Sequence, residues 1–171
     1  MTILAAASAA FVLLTANACA SNSNTQPQEL TSPNGTPRVL ILDDEAISLG
    51  LAVRAVRKKS QDMNIELDIR STLSAEEALR LHGEEAFDIV VTDRNMPEMQ
   101  GEEFAQRIRK LSLDSLSTTS PRIILNSTDK VANDGNLFDA IVQKKPPEVA
   151  EQVMEMVRVG SRKNSLEGAS K

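Results

Sequence analysis

The chain has no tryptophan and no tyrosine, and only four phenylalanines, one cysteine and one histidine among its 171 residues. Each shortage excludes something. With so few aromatics, the stacking platforms that bind single-stranded nucleic acid are missing. A lone cysteine, Cys19, rules out an internal disulfide and any cysteine-built metal centre. Basic charge is outweighed as well: 19 Lys and Arg against 24 Asp and Glu give a net charge of −5, which leaves no basic footprint for nucleic acid, and no direct binding to it is expected. What is present is ordinary for a globular domain, with 41% hydrophobic and 25% charged residues.

The first segment does not resemble the rest. Ile3 to Ala16 is apolar, alanine-rich and uncharged, and before Arg38 the sole charged side chain is Glu29. Residues 1–20 fall short of the roughly 20 apolar residues that a membrane span needs. Ala16-Asn17-Ala18 ahead of Cys19 resembles a small-residue cleavage site, but the basic n-region of a secretory signal is missing. Ala16 also stands where a lipoprotein signal has leucine. Three readings stay open: an export or anchor signal, the stub of a longer membrane protein, or an extended start of translation. Residues 21–37, rich in Ser, Asn, Thr, Gln and Pro, read as a disordered linker. The expected location is cytoplasmic, with membrane attachment only through residues 1–20.

From Arg38 onward, strand-like and helix-like stretches alternate, which predicts βα units around a parallel sheet. Strand one falls at 38–42, and a helix at about 46–59 has Ile47, Leu51, Val53 and Val56 as its expected inward positions. Residues 65–70 alternate apolar and polar, as an edge strand does. Ser74 with Glu77 forms a capping box that opens a helix reaching about His82, with Gly83 ending it. His82, at that helix end, is read as structural, a cation suited to the dipole. Strand three is 87–92. A helix at 102–111 carries Phe104, Ile108 and Leu111. Strands four and five are 122–125 and 140–142. Pro147 suits the first turn of a last helix, 147–158, with Val149, Val153, Met156 and Val157 inward. The domain is thus 38–159, large enough for a real core, and 160–171 reads as a flexible tail.

Two apolar runs end in acid. Val39-Leu40-Ile41-Leu42 runs into Asp43-Asp44-Glu45, and Ile89-Val90-Val91-Thr92 runs into Asp93. Buried parallel strands read as continuous apolar stretches, and working sites in open α/β sheets lie at their carboxyl ends. If the two strands are neighbours, three carboxylates converge, and mutual repulsion then calls for a cation. Hard oxygen ligands beside a phosphoryl group point to Mg²⁺. The competing reading of Asp43 and Asp44 is as caps of the following helix. As ligands, Asp44 is the expected direct one, Asp43 helps directly or through water, and Asn95 adds its backbone carbonyl. Asp93 is either a third ligand or a nucleophile that forms an aspartyl phosphate. Lys145, before Pro146, offers an ammonium to the same spot. Ser127 offers a hydroxyl, with Thr128 beside it as a secondary candidate.

Together these features resemble the receiver domain of two-component response regulators, over residues 39–159. Val39 to Glu45 is similar to that family's first strand and acidic pocket. Asp93 with Met96-Pro97 and Gly101 is similar to its phosphoacceptor loop, and Lys145-Pro146 to its invariant lysine with a cis-prone proline. The resemblance implies a flavodoxin-like, doubly wound five-stranded parallel sheet of order 2-1-3-4-5. It implies that Asp93 accepts phosphate from a histidine kinase or histidine phosphotransfer protein, that Asp43, Asp44, Asp93 and the Asn95 carbonyl hold Mg²⁺, and that Ser127 and Lys145 sense the phosphate. The domain would be a switch rather than an enzyme, either stand-alone or the receiver end of a hybrid kinase.

Two features depart from the family pattern. Val142, with Ile141 before it, stands where receivers carry a Tyr or Phe switch, and Phe138 lies too early. The segment between Ser127 and Lys145 is short, so the fourth helix is expected to be shortened. Readout would then use the loop after strand four rather than a ring flip. Two other functions compete. A haloacid-dehalogenase-like phosphatase or phosphotransferase also forms an aspartyl phosphate, but it places a second Asp two residues after its nucleophile on the first strand. A degenerate receiver would serve only as a docking module.

Overall fold

The computed structural model describes residues 35–114, 120–129 and 137–167. Residues 1–20, most of the expected linker and the segment expected to hold a shortened fourth helix lie outside the described residues. Five strands form one parallel sheet: β1 (Arg38–Leu42), β2 (Asp68–Thr72), β3 (Ile89–Asp93), β4 (Arg122–Ser127) and β5 (Ala140–Gln143). Their order is β2-β1-β3-β4-β5, as expected. The helices are α1 (Ala46–Asp62), α2 (Ala75–Glu85), α3 (Gly101–Asp114) and α4 (Pro146–Glu167). Among the described residues no helix is long and apolar enough to cross a membrane.

Side chains alternate between the two faces of each strand, and the core divides accordingly. Val39, Ile41, Ile89, Val91 and Ile124 face α1 and α4, where Val56, Val153 and Met154 meet them. Leu40, Leu42, Val90, Ile123 and Leu125 face α2 and α3, where Ala78, Phe104 and Ile108 meet them. The central strands are therefore buried on both sides, which explains their unbroken apolar runs. The edge strand β2 is wetter, with Asp68, Ile69 and Thr72 half-buried and Arg70 and Ser71 exposed, and its burial does not follow the expected alternation.

Several local expectations are corrected. Ile47 and Leu51 are exposed, whereas Val56 is buried and Val53 partly buried as expected, and Leu49, Ala52 and Ser60 complete the inward face of α1. Packing against α4 selects the stripe that holds the small residues Ala52 and Ser60, which hydrophobicity alone does not single out. Strand β2 starts at Asp68 because Arg38 pairs with Asp68 and Leu42 with Thr72. Only half of the capping box forms: Ser74 Oγ accepts from Glu77 N–H, while Ser74 N–H donates to Thr72 Oγ1 and the Glu77 carboxylate accepts from Arg80. Helix α2 passes through Gly83 to Glu85. The chain then turns at Ala86, whose φ is 42° and whose N–H still donates to the His82 carbonyl. Helix α4 continues to Glu167, beyond the point where a tail is expected.

Candidate acidic pocket at the carboxyl edge of the sheet

Adjacent pairing of β1 and β3 (Leu42 with Thr92) puts the residues that follow them side by side. Asp43, Asp44 and Asp93 each bring a carboxylate oxygen to one place, all within 4.8 Å of one another. Asp43 and Asp93 are buried, whereas Asp44 is exposed. Neither Asp43 nor Asp44 caps α1. The cap position belongs to Glu45, which makes no side-chain cap bond, and Asp43 Oδ1 accepts from the Glu45 N–H at 3.0 Å. Burial raises the Asp43 carboxyl above its ordinary range, only partly opposed by that amide and by a nearby lysine.

That lysine is Lys144. Its Nζ lies 3.0 Å from Asp93 Oδ2 and 3.1 Å from Asp43 Oδ2. Desolvation pulls its pKa down, but the Asp93 and Asp43 carboxylates outweigh this and hold it above the ordinary lysine value. Lys145, the residue expected here, is exposed and pairs with Glu148 at 3.1 Å. The reason is register. Strand β5 pairs through Gln143 with Ser127, and Lys144 N–H still donates to the Ser127 carbonyl. The Lys145 carbonyl already accepts from Glu148 and Val149 in the first turn of α4. The doubled Lys-Lys-Pro-Pro hides this, because the Lys-Pro dipeptide points to Lys145 while Lys144 is the one that reaches the carboxylates. Among the described residues no peptide bond is cis, so the Lys145-Pro146 bond is trans. The position three before the site lysine is accordingly Ile141, which packs on the α2–α3 side, and not Val142, which packs on the α1–α4 side.

Ser127 ends β4 and is buried, its Oγ accepting from Asp129 N–H at 3.1 Å. Thr128 beside it is exposed. Asn95 sits in the loop after Asp93 with its side chain exposed. Met96 and Met99 bury into the α2–α3 core and anchor that loop. Gly101 closes it, donating to the Arg94 carbonyl at 2.8 Å. A Cβ at Gly101 would stand 2.6 Å from the Asp93 carbonyl oxygen, so glycine is required by close approach rather than by backbone angle.

The donor set is hard oxygen, with the buried Asp43 Oδ2 accepting no hydrogen bond despite the ammonium nearby. That chemistry fits Mg²⁺ or another hard divalent ion. One residue of the pocket's wall escapes the sequence reading altogether: Asn126, buried next to Ser127, whose amide oxygen also has no partner.

A family model described as "Response regulator receiver domain" matches residues 39–143. The virulence sensor protein BvgS of Bordetella pertussis is 40% identical over 79 residues, which cover 46% of this chain and 6% of that protein. This chain therefore corresponds to a small part of that relative. The two-component response regulator ORR42 of Oryza sativa subsp. japonica is 26% identical, covering 75% of this chain and 92% of its own length. Among solved structures, the receiver domain of the histidine kinase CKI1 from Arabidopsis thaliana, complexed with Mg²⁺ and BeF₃⁻, superposes with a TM-score of 0.57 at 27% identity, over 71% of this chain and 90% of that one. The chemotaxis response regulator CheY4 of Vibrio cholerae gives 0.55 at 17% identity, over 71% and 98%, which speaks for the fold.

Proposed function

Because the chain belongs to the response regulator receiver family, whose members are phosphoacceptor switches rather than conventional enzymes, we propose that it takes a phosphoryl group on Asp93. The donor is a phosphohistidine on a histidine kinase or histidine phosphotransfer protein. The observation that carries this reading is the meeting of three carboxylates within 4.8 Å, two of them bridged by one buried-side ammonium. Kinship with sensor proteins and with a kinase receiver domain supports a kinase-linked donor.

In the transfer, an Asp93 oxygen bonds to phosphorus as the P–N bond to the donor imidazole breaks. The bonding pair stays on the imidazole nitrogen, which then takes a proton from solvent. Asp43 and Asp44, with Asp93 and the Asn95 carbonyl, would hold Mg²⁺. When bound, that ion supplies neutralising charge and an anchor for phosphoryl oxygens. Lys144 neutralises the pocket before transfer and is placed to follow a phosphoryl oxygen after it. Ser127 supplies a hydroxyl that accepts from Asp129 N–H and that, among the described residues, donates to no group. The readout is proposed to run through Ser127 and the segment after β4, because Ile141 offers no ring to flip.

The test is intact-mass measurement after incubation with acetyl phosphate and Mg²⁺. Wild type is expected to gain one phosphoryl group and Asp93→Asn none. Steady release of phosphate from phosphate esters would instead support a haloacid-dehalogenase-like enzyme, and no uptake would support a docking module.

A further inference from the structure

Asn126 is buried at the end of β4, and its side-chain oxygen accepts a hydrogen bond from no group among the described residues. A buried amide oxygen left in this way carries a desolvation cost, and native structures usually resolve such groups with protein or ordered water. Its placement is specific. Ile124, two residues earlier, faces the α1–α4 side, so Asn126 does as well. Val142, its register partner on β5, faces the same side, and Lys144 follows two residues on.

Lys144 presents the complementary deficit. An ammonium has three protons, and those of Lys144 serve Asp43 and Asp93. Among the described residues its remaining N–H has no hydrogen-bond partner. Asn126 and Lys144 line one small cavity of about 80 Å³ together with Ser48, Leu51 and Pro146. Ser48 does not donate to Asn126, because its hydroxyl proton goes to Glu45, and among the described residues no hydrogen bond joins it to Lys144. The space is large enough to hold ordered water. A water there has an ammonium proton to accept and an amide oxygen to donate to.

We propose that Asn126 is a positioning residue for Lys144: through water in this cavity it holds the third N–H, and so aims the other two at Asp93 and Asp43. The proposal deepens the phosphoacceptor reading and rests on it for its functional consequence, but not for the geometry. An apolar residue at this place would fill the core equally well and would leave the ammonium free to rotate out towards solvent.

The experiment compares wild type with Asn126→Thr, which keeps an oxygen, and Asn126→Val, which has the same shape without it. Both suit a strand, and Asn126→Leu serves as a second oxygen-free variant should Asn126→Val not fold. Solvent exchange of the Lys144 ammonium protons is followed by NMR in the metal-free, unphosphorylated protein. The rate of phosphorylation by acetyl phosphate with Mg²⁺ is measured separately. The expected result is ammonium exchange about fivefold faster in Asn126→Val, the order of one water-mediated hydrogen bond. Phosphorylation should slow by a similar factor, and Asn126→Thr should restore both. A purely structural asparagine would move the melting temperature alone, and equal ammonium exchange in the Thr and Val variants overturns the proposal. If wild type itself takes up no phosphate, the phosphoacceptor reading fails, while the exchange experiment still decides the role of Asn126.

Discussion

Lys144 reaches Asp93 across the end of the sheet, Nζ to Oδ2 at 3.0 Å, and touches Asp43 on the way. The carboxyl ends of β1, β3 and β5 are thereby tied by one cation. Removing it leaves two buried carboxylates facing each other with no compensation. Lys144→Ala is therefore expected to lose about 1–3 kcal/mol of stability without divalent ions, the cost of stripping a partner from buried charged groups. It should also fall well below wild type in phosphorylation. Lys145→Ala, at an exposed pair with Glu148, should stay within about 0.5 kcal/mol and phosphorylate normally. Urea titration of the two variants and intact mass after acetyl phosphate separate these outcomes. Identical behaviour would move the lysine role back to Lys145.

Convergence of Asp43, Asp44 and Asp93 also predicts a stability that depends on Mg²⁺. An ion that binds the folded chain and not the unfolded one stabilises by RT ln(1 + [L]/Kd), about 2.7 kcal/mol at a hundredfold excess over Kd. Thermal melts of wild type should rise with Mg²⁺ and return to the starting value on adding a chelator. Asp44→Asn and Asp93→Asn should flatten the response. A response unchanged in both variants would place the ion elsewhere.

Much of this site is legible in the sequence, because an apolar run that ends in acid reports both a buried strand and its carboxyl end. Asp43, Asp44 and Asp93 follow from that, and the Ser74 N-cap of α2 follows from its own Ser-x-x-Glu spacing. The lysine is less legible. Choosing between Lys144 and Lys145 needs the register of β5 on β4, a non-local pairing that a short Ala140–Gln143 strand does not announce. The inner face of α1 is obscured for a similar reason: Ile47 and Leu51 outrank Ala52 and Ser60 in hydrophobicity, yet contact with α4 favours the smaller pair. Asn126 gives no signal at all, since a polar residue at a strand end reads as the start of a loop.

Gly101 makes a further prediction about the loop that carries Asp93. Its missing side chain admits the Asp93 carbonyl oxygen, 2.6 Å from where a Cβ would be, with Arg94 Cα and Leu125 Cδ1 each at 3.0 Å. Two of the three obstacles lie on the backbone next to Asp93, so relief has to come from moving that backbone. Gly101→Ala is expected to cost about 1–3 kcal/mol, the usual range for overpacking. It should also slow phosphorylation beyond what the unfolded fraction explains, because Asp93 shifts relative to Lys144. Urea titration gives the first quantity, and initial rates under fully folded conditions give the second.

His82 supplies a prediction about pH. The ring is buried, a structural group as expected but not the helix-end cation that its position implies in the sequence. Nδ1 accepts from Phe87 N–H at 3.2 Å, while Nε2 meets Ser112 Oγ at 3.1 Å and that hydroxyl donates to the Ile108 carbonyl at 2.9 Å. The arrangement fixes the neutral tautomer with its proton on Nε2, and burial lowers the pKa below the ordinary histidine value. Between the lowered folded value and the unfolded value of about 6.5, the unfolded chain binds a proton that the folded chain refuses. Stability therefore falls as pH drops through that window. Asp43 and Asp88, whose carboxyls burial raises, act with the opposite sign, since the folded state holds their protons more tightly. The histidine contribution is isolated by comparing wild type with His82→Asn, whose amide oxygen can still accept from Phe87 N–H. In urea titrations at a series of pH values, wild type is expected to lose stability relative to the variant as acidity rises below about 6.5. A constant difference between the two would show that the ring charges as readily inside the fold as outside it.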